Sequence, residues 1–330
     1  MKESEIRPEE LHEENKKLFR EDVNFLLEKK SKFLNVNCPA CGEKEFLFKF
    51  NKGGFNFLSC KNCLTVYVSP RPSFNLLIEY YNTSKSIQHW NNKLFPLTEE
   101  FRRKEIFLPR MKKVLDLCKS YGINHEIIID VGAGFGTFCE EIKKEGYFRR
   151  VIAVEPSRFL AATCMTRGLE TINKTIEEVN LKNVDVVTNF ELISHVFSPE
   201  EFVKKVNSIL VHKGILFLTT PNVLGFDVEI LGKDSSVFAA PNMINYFNIN
   251  SIKHLLEKNG FKILEILTPG KLDVNLVRTQ LNQLNVSSSL GSFFESLFKS
   301  EDEEFFENFQ NFISKNRLSS HMWVVAQKIS

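Results

Sequence analysis

Residues 127–136 have the sequence Ile-Ile-Ile-Asp-Val-Gly-Ala-Gly-Phe-Gly, in which an apolar run meets an acidic residue and then three alternating glycines. A short apolar run bounded by turn residues predicts a buried strand, and Thr137 to Lys144 follow with the pattern of a helix. Glycine suits the turn between them because it adopts positive φ and lets a ligand approach the backbone closely. The stretch therefore predicts the first strand and the ligand loop of a parallel α/β domain.

The spacing of the glycines narrows the class of ligand. A dinucleotide-binding loop has the pattern G-x-G-x-x-G. Here Gly132, Gly134 and Gly136 are spaced as G-x-G-x-G, and Thr137 stands where the third glycine of that pattern belongs. Asp130 precedes the first glycine by two residues. Its carboxylate is poorly placed for a pyrophosphate and well placed for an ammonium group.

A second predicted strand carries the next acidic residue. It comprises Val151 to Val154 and ends at Glu155, which is 19 positions after Gly136 (155 − 136). In parallel α/β domains, an acid at this place accepts hydrogen bonds from the ribose hydroxyls of a ligand. Together with Asp130, it indicates a ligand that has a ribose and a cationic amino-acid end.

These elements, in this order, resemble the class I S-adenosylmethionine-dependent methyltransferases, and the resemblance covers roughly Glu126 to Gly270. It implies a Rossmann-like α/β fold with a seven-stranded sheet and S-adenosyl-L-methionine as the cofactor. The sixth strand is expected at Phe261 to Leu267, and the seventh, Met322 to Gln327, antiparallel between strands five and six. The residues that the resemblance assigns to cofactor binding are Asp130, Gly132, Gly134, Gly136, Glu155, Phe190 and Glu191.

The segment from Phe190 to His195 follows predicted strand four, where ligand and reacting groups meet in this family. A neutral imidazole at His195 could remove the proton that methylation of an oxygen or carbon releases. A histidine that only orders the loop by hydrogen bonding is the alternative. Related sequences often have a second histidine where this chain has Met243. Tyr246 is therefore a further catalytic candidate, unless the reaction needs no strong base.

Four of the seven cysteines form two C-x-x-C pairs, Cys38 with Cys41 and Cys60 with Cys63. Two such knuckles at this separation are typical of a zinc ribbon, in which four thiolates hold one tetrahedral Zn²⁺. Because four protein ligands leave no open position, the metal is expected to be structural. Disulfides are disfavoured by the reducing compartment that the scattered remaining cysteines indicate, and a redox pair is disfavoured by the second knuckle.

A ribbon followed by an aromatic connector resembles the zinc-containing methyltransferases that act on carbohydrates, including nucleotide-sugar C-methyltransferases. In those proteins the N-terminal lobe and connector cover the substrate side of the cleft. The resemblance places four aromatic residues either against the substrate or in ordinary packing: Tyr80, Tyr81, His89 and Trp90. Three cations would suffice for one diphosphate: Arg71, Arg102 and Arg110.

The chain divides into four predicted regions. They are an N-terminal helix (1–34), a zinc ribbon (35–72), a helical connector that covers the substrate (73–122) and a Rossmann-like methyltransferase domain (123–330). The last region has a helical insertion at about 275–318, centred on Phe293 to Phe312. Within the connector, an irregular stretch from Asn82 to Leu97 precedes a helix from Thr98 to Tyr121 that Pro109 is expected to kink.

The composition indicates which classes of partner the chain can bind. The 43 basic and 41 acidic side chains leave a net charge of +2, so no global basic field favours nucleic acid. The charged start and the lack of a long apolar run predict a cytoplasmic protein without a membrane span. The sequence favours a methyltransferase acting on a sugar nucleotide or surface-glycan precursor. A zinc-containing rRNA methyltransferase and a non-catalytic cofactor-binding protein are the alternatives, and nothing indicates the oligomeric state.

Overall fold

The computed structural model describes residues 2–281, 294, 297–298 and 302–330, so the predicted helix start at Phe293 lies outside the described residues. The helices are α1 (Glu3–Ile6), α2 (Glu9–Leu27), α3 (Phe74–Thr83), α4 (Lys85–His89), α5 (Phe95–Arg102), α6 (Leu108–Tyr121), α7 (Thr137–Lys144), α8 (Arg158–Thr166), α9 (Pro199–Ile209), α10 (Phe226–Leu231), α11 (Ile249–Glu257), α12 (Asp273–Leu281) and α13 (Glu303–Lys315). The strands are β1 (Phe33–Leu34), β2 (Phe46–Lys52), β3 (Phe55–Cys60), β4 (Val66–Val68), β5 (Arg71–Pro72), β6 (Ile127–Val131), β7 (Arg150–Val154), β8 (Glu170–Ile172), β9 (Val184–Phe190), β10 (Leu210–Pro221), β11 (Asn245–Tyr246), β12 (Phe261–Leu267) and β13 (His321–Lys328).

Within the described residues, seven strands form one sheet in the order β12-β13-β10-β9-β6-β7-β8. The five strands from β10 to β8 are parallel, whereas β13 runs antiparallel to both of its neighbours. This confirms the predicted α/β class and the insertion of the last strand between strands five and six. Because the first strand, β6, is central, the loops that follow it open at the middle of the carboxyl edge.

The parallel strands are buried on both faces, and successive side chains point to opposite sides. In β6, Ile129 and Val131 join one core cluster and Ile128 joins the other. The same alternation continues in β7, where Ile152 faces the first cluster and Val151 the second. Helices on either side complete these cores, which explains why the strand sequences are almost continuously apolar.

A smaller sheet carries the N-terminal cysteine region in the order β11-β4-β3-β2. Its strand β11 comes from a distant part of the chain and pairs antiparallel with β4, with Asn245 opposite Tyr67 and Tyr246 opposite Val66. Backbone hydrogen bonds therefore join the small sheet to the segment that connects β10 and β12 of the large sheet. Two residues give too short a pattern for the sequence to have predicted this strand.

The predicted irregular stretch from Asn82 to Leu97 is wrong, because most of it is helical. Helix α4 leads through a π-helical turn (Trp90–Leu94) into α5, and a second π-helical turn (Arg103–Phe107) leads into α6. The beginning of α4 is capped by Asp22 of α2, whose carboxylate accepts hydrogen bonds from the backbone amides of Lys85 and Ser86 at 3.0 and 2.8 Å. This cap comes from another helix, so local sequence did not reveal it.

In the described part of the chain, no helix combines the length and the apolar character that crossing a bilayer requires. The helices that follow the last parallel strand pack near its carboxyl end, where α10 and α12 contact each other. Phe226 of α10 meets Phe309 of α13 edge to face, with ring centroids 5.4 Å apart. This helical group lies beside the edge of the sheet at which the candidate site is found.

Candidate active site

The glycine loop joins β6 to α7 with backbone conformations that favour glycine. Gly132, Gly134 and Gly136 have φ values of 76°, 57° and 75°. At Gly136 space is restricted as well, because an added Cβ would lie 2.5 Å from Leu169 Cδ1. Both the positive φ and this close approach explain the third glycine.

Glu155 at the end of β7 is bonded directly to the glycine loop. Its Oε2 accepts a hydrogen bond from the Gly134 amide at 2.9 Å, and its Oε1 accepts one from the Ser157 amide at 2.9 Å. A carboxylate offers about four acceptor positions, so both oxygens can still accept from a ligand. Burial raises the pKa of Glu155 to about 7, although the two amide hydrogen bonds oppose the shift.

Asp130 lies under the same loop, at the end of β6, and is only 4% exposed. Its Oδ1 accepts a hydrogen bond from Thr188 Oγ1 of the neighbouring strand at 2.7 Å. Burial raises the pKa of Asp130 to about 7, and the charge of Glu155 adds to this. The hydrogen bond from Thr188 and the charge of Arg110 lower it in part. The structure thus brings the two predicted ligand-binding acids to one loop.

The connector covers this loop. Phe95 of α5 stacks face to face on Phe135 of the glycine loop, with ring centroids 4.0 Å apart and an angle of 3° between the planes. In the same helix, Glu99 accepts hydrogen bonds from Thr137 Oγ1 at 2.7 Å and from Arg167 Nη2 at 2.8 Å. Stacking and an ion pair therefore fix the connector over the candidate cofactor loop.

Phe190 and Glu191 follow directly at the carboxyl end of β9. Phe190 packs edge to face between Phe138 and Phe217, with centroid distances of 4.8 and 5.5 Å. Arg110 of α6 lies over the Phe190 ring, with its guanidinium carbon 4.7 Å from the centroid. The predicted ligand residue Phe190 is therefore held in place by packing from several sides.

The three arginines predicted as cations for a diphosphate each donate to internal acceptors. Arg71 donates to Val68 O and Asn245 Oδ1 at 3.0 and 2.9 Å. Arg102 donates to Ile6 O at 2.7 Å. The remaining one, Arg110, donates to Glu191 Oε1 at 3.0 Å. The sequence gives the charge of a side chain but does not show whether the side chain is buried.

His195 lies after a short turn, in which its amide donates to Leu192 O at 2.8 Å. Its Nδ1 is 3.5 Å from the hydroxyl of Tyr81, which itself donates to Asn242 O at 2.9 Å. Tyr80 donates to Asn242 Oδ1 at 2.7 Å. Burial lowers the pKa of His195 to about 4, against the opposing charge of Glu191. The imidazole is therefore neutral near pH 7.

Tyr246, the other catalytic candidate, is fully buried in the small sheet. Its hydroxyl donates to Met243 O at 2.7 Å, and its ring packs against Phe238 with centroids 5.1 Å apart. Burial raises the pKa of Tyr246 well above its ordinary value. The geometry favours a packing role for Tyr246, so His195 remains the better-placed candidate of the two.

Two of the connector aromatics lie away from this edge. His89 packs against α2, with Nδ1 3.2 Å from Asn15 Oδ1. Trp90 lies under the guanidinium of Arg102, 5.0 Å from the ring centroid. Of the four aromatics predicted to face substrate or pack, these two pack, whereas Tyr80 and Tyr81 hold the loop beside His195.

Sequence reasoning missed His321, the first residue of β13. Its Nδ1 is 3.4 Å from Glu191 Oε1, and its Nε2 accepts a hydrogen bond from Trp323 Nε1 at 3.1 Å. The antiparallel insertion of β13 puts its first residue at the edge where the parallel strands end. The last strand was predicted to begin at Met322, and a prediction that began it one residue earlier would have included His321.

The four paired cysteines converge, and their sulfur atoms all lie within 4.8 Å of one another. The separations Cys38–Cys63 and Cys41–Cys60 are both 3.5 Å. A tetrahedron of four thiolates with metal–sulfur bonds of about 2.3 Å has edges of about 3.8 Å, so this cluster fits zinc. All four cysteines are free thiols, which excludes the disulfide alternative in this structure.

Residues 92–266, more than half of the chain, match the family model of the methyltransferase domain, and the chain belongs to this family. It is 25% identical over 170 residues to the C-methyltransferase NovU of Streptomyces niveus, covering 49% of this chain and 39% of that protein. It is 26% identical over 172 residues to a ubiquinone biosynthesis O-methyltransferase of Vibrio cholerae, covering 48% of this chain and 69% of that protein.

Other similar proteins have S-adenosylmethionine in their descriptions. A probable S-adenosylmethionine-dependent methyltransferase of Mycobacterium tuberculosis is 28% identical over 138 residues, covering 41% of this chain and 48% of that protein. A solved S-adenosylmethionine-dependent methyltransferase from Archaeoglobus fulgidus aligns with a TM-score of 0.48 and 18% identity, covering 72% of this chain and all of that one. The chain spans less than half the length of the NovU and mycobacterial relatives.

Proposed function

We propose that this chain transfers a methyl group from S-adenosyl-L-methionine to a small polar acceptor, a sugar nucleotide or a surface-glycan precursor. The observation that carries the proposal is the convergence of Asp130, the glycine loop and Glu155 at the carboxyl edge of a methyltransferase-family sheet. Gly132, Gly134 and Gly136 let the cofactor approach the backbone. Glu155 accepts hydrogen bonds from its ribose, and Asp130 pairs with its amino group.

The bound cofactor would supply an already activated methyl group on a sulfonium. The protein then has two tasks, which are to orient the acceptor in line and to accept a proton from an oxygen or carbon nucleophile. His195 is the proton acceptor in this proposal. It is neutral because burial lowers its pKa, and Tyr81 fixes its ring.

The acceptor class rests on the surroundings of His195. The tyrosines of α3 tie the loop around Asn242 to the wall of the cleft, so the connector forms part of the acceptor site. The edge also carries a polar network of four side chains, Arg110, Glu191, Thr219 and His321. A polar network of mixed charge suits a hydroxyl-rich small molecule better than an RNA backbone.

We also propose that the four clustered cysteines hold one structural Zn²⁺. Four thiolates would complete a tetrahedral coordination sphere and leave no position for substrate. The metal would stabilise the knuckles at the base of the small sheet. It would therefore support the part of the protein that β11 joins to the active-site edge.

The acceptor class is tested with methyl-labelled S-adenosylmethionine and two sets of acceptors, a panel of UDP- and dTDP-hexoses and purified ribosomal RNA. Label is expected in a sugar nucleotide and not in RNA, because a net charge near zero gives no extended basic field for a long phosphate backbone. Label in RNA with none in any sugar nucleotide would refute the acceptor assignment and leave the cofactor assignment intact.

Binding of S-adenosylhomocysteine is expected to weaken by about a hundredfold as the pH falls from 8 to 6, about tenfold for each of two acids. Asp130 and Glu155 have pKa values raised to about 7, and the ligand requires their ionised forms. Above pH 7 both acids are mainly charged, whereas below pH 7 up to two protons must be released on binding. Calorimetry in two buffers of different ionisation enthalpy measures both the affinity and this release.

The controls for the pH effect are two variants of the same acids. Asp130→Asn should bind more weakly and show a flatter pH dependence. Glu155→Ala should weaken binding by roughly 1.5–3 kcal/mol, the value for hydrogen bonds to a charged group. A Glu155→Ala protein with unchanged affinity would argue against the cofactor site.

Replacement His195→Ala is expected to lower kcat by about 10²-fold, because the proton acceptor is lost, while affinity for S-adenosylhomocysteine stays the same. His254→Ala, an exposed histidine on α11, is the matched control and should keep full activity. Labelled-methyl transfer gives the rates. Full activity of His195→Ala would remove this residue from proton transfer.

Elemental analysis of protein purified without added metal is expected to find about one zinc per chain. Cys60→Ser should lose the metal and loosen the small sheet, because zinc contributes on the order of 10 kcal/mol to the folding of such lobes. Cys118→Ala, which changes a cysteine outside the cluster, should retain it. Native protein that lacks metal and has four reactive thiols would contradict the zinc assignment.

A further inference from the structure

Glu191 has an unusual backbone conformation for a glutamate. Its φ is 59°, in the left-handed region that few residues other than glycine adopt. The conformation is held by Thr219 of β10, whose carbonyl oxygen accepts from the Glu191 amide at 3.0 Å. Non-glycine residues kept in this region concentrate at functional sites, where the surrounding structure determines their position.

Three side chains from different elements converge on one carboxylate oxygen, Glu191 Oε1. Thr219 Oγ1 of β10 donates to it at 2.6 Å, and Arg110 Nη2 of α6 donates at 3.0 Å. His321 Nδ1 of β13 lies 3.4 Å away. Since His321 Nε2 accepts from Trp323, the neutral ring carries its hydrogen on Nδ1, toward Glu191.

The other oxygen, Glu191 Oε2, has no hydrogen-bond partner among residues 2–281 and 302–330, and the side chain is 36% exposed. Burial raises the pKa of Glu191, but the neighbouring His321, the charge of Arg110 and the hydrogen bond from Thr219 outweigh burial and hold this pKa below its ordinary value. The group is therefore an ionised carboxylate with one oxygen fixed and the other open. An ionised carboxylate only accepts hydrogen bonds, so its partner must be a donor.

Position and charge indicate which donor. Glu191 begins the turn that leads to His195, and the next residue, Leu192, packs on the glycine loop, where a Cβ at Gly132 would lie 3.0 Å from its Cδ2. Glu191 is thus adjacent in the chain to a residue that packs on the cofactor loop, and it lies four residues before the proposed base. Its charge is balanced by the buried Arg110, which favours a neutral hydroxyl over a second ammonium group. Asp130 already serves the ammonium.

We propose that Glu191 Oε2 binds a hydroxyl group of the acceptor, and that His321 is a positioning residue that keeps this carboxylate turned toward the acceptor. The inference rests on the proposed function and adds a specificity-determining residue to it. Sequence patterns assign Glu191 to the cofactor, and the arrangement of the three donors moves it to the acceptor side.

The first test uses Glu191→Gln and Glu191→Asp with the panel of UDP- and dTDP-hexoses and their monodeoxy analogues. Both variants should raise the acceptor KM by about tenfold, while the Kd for S-adenosylhomocysteine stays within about twofold. Glu191→Asp retains the charge opposite Arg110 and so guards against misfolding. Glu201→Gln, an exposed acid on α9, is the matched control and should behave as wild type.

The deoxy analogues identify the bond. Wild-type protein should lose affinity for the analogue that lacks the bound hydroxyl, and Glu191→Gln should no longer distinguish it from the parent sugar. A tenfold loss of S-adenosylhomocysteine affinity in Glu191→Gln, with unchanged acceptor KM, would make Glu191 a cofactor ligand and overturn the inference. Wild-type KM in both Glu191 variants would overturn it as well.

The second test addresses His321. His321→Ala should raise the acceptor KM with little change in cofactor affinity, and His321→Asn should restore it in part because an asparagine amide can replace Nδ1–H. Equal defects in both variants would exclude a positioning role. Failure of the proposed function gives a different result, because the wild-type protein would then label no sugar nucleotide. The inference about Glu191 would be refuted together with the proposed function.

Discussion

Asn245 makes the contacts on which the arrangement of the two sheets depends. Its Nδ2 donates to Val196 O at 2.8 Å, its Oδ1 accepts from Arg71 Nη1 at 2.9 Å, and its amide donates to Ser194 O at 3.1 Å. Ser194 and Val196 flank His195, and Arg71 follows the cysteine ribbon. One buried amide therefore fixes the turn of the proposed base to the N-terminal region. Removing it would leave several buried polar groups without partners, which is costly in a low-dielectric interior.

The sequence was informative wherever chemistry requires particular residues at a fixed spacing. Local constraints determine three of these features, and each is visible in the sequence. They are the positive φ values of the glycine loop, the acid at the end of β7 and the two cysteine pairs. The place of the last strand between strands five and six followed from the family resemblance, and the alternation of apolar strands with amphipathic helices predicted the α/β class. These features make up the central part of the fold and the cofactor half of the candidate site.

The proposed acceptor half of the site depends on contacts between elements that are distant in the chain. His321 reaches Glu191 only because β13 is inserted antiparallel, and Arg110 becomes internal only when α6 packs over Phe190. The cap that Asp22 provides to α4 is likewise a contact between two helices. Such features leave no periodicity or spacing in the sequence. For the same reason, residue type alone did not show that Arg71 and Arg102 donate to internal acceptors.

The short strand β11 links the order of the cysteine-bearing sheet to the order of the loop that contains Met243. Because Asn245 and Tyr246 belong to the chain that carries Met243 and also complete the sheet beside the cysteines, neither side can be disordered without breaking the same ladder. If the cysteines bind the proposed metal, metal binding would then act as a heterotropic effector that raises the affinity for the proposed acceptor. By linkage, the coupling is reciprocal, so an acceptor that orders the loop would raise the affinity for the metal by the same factor.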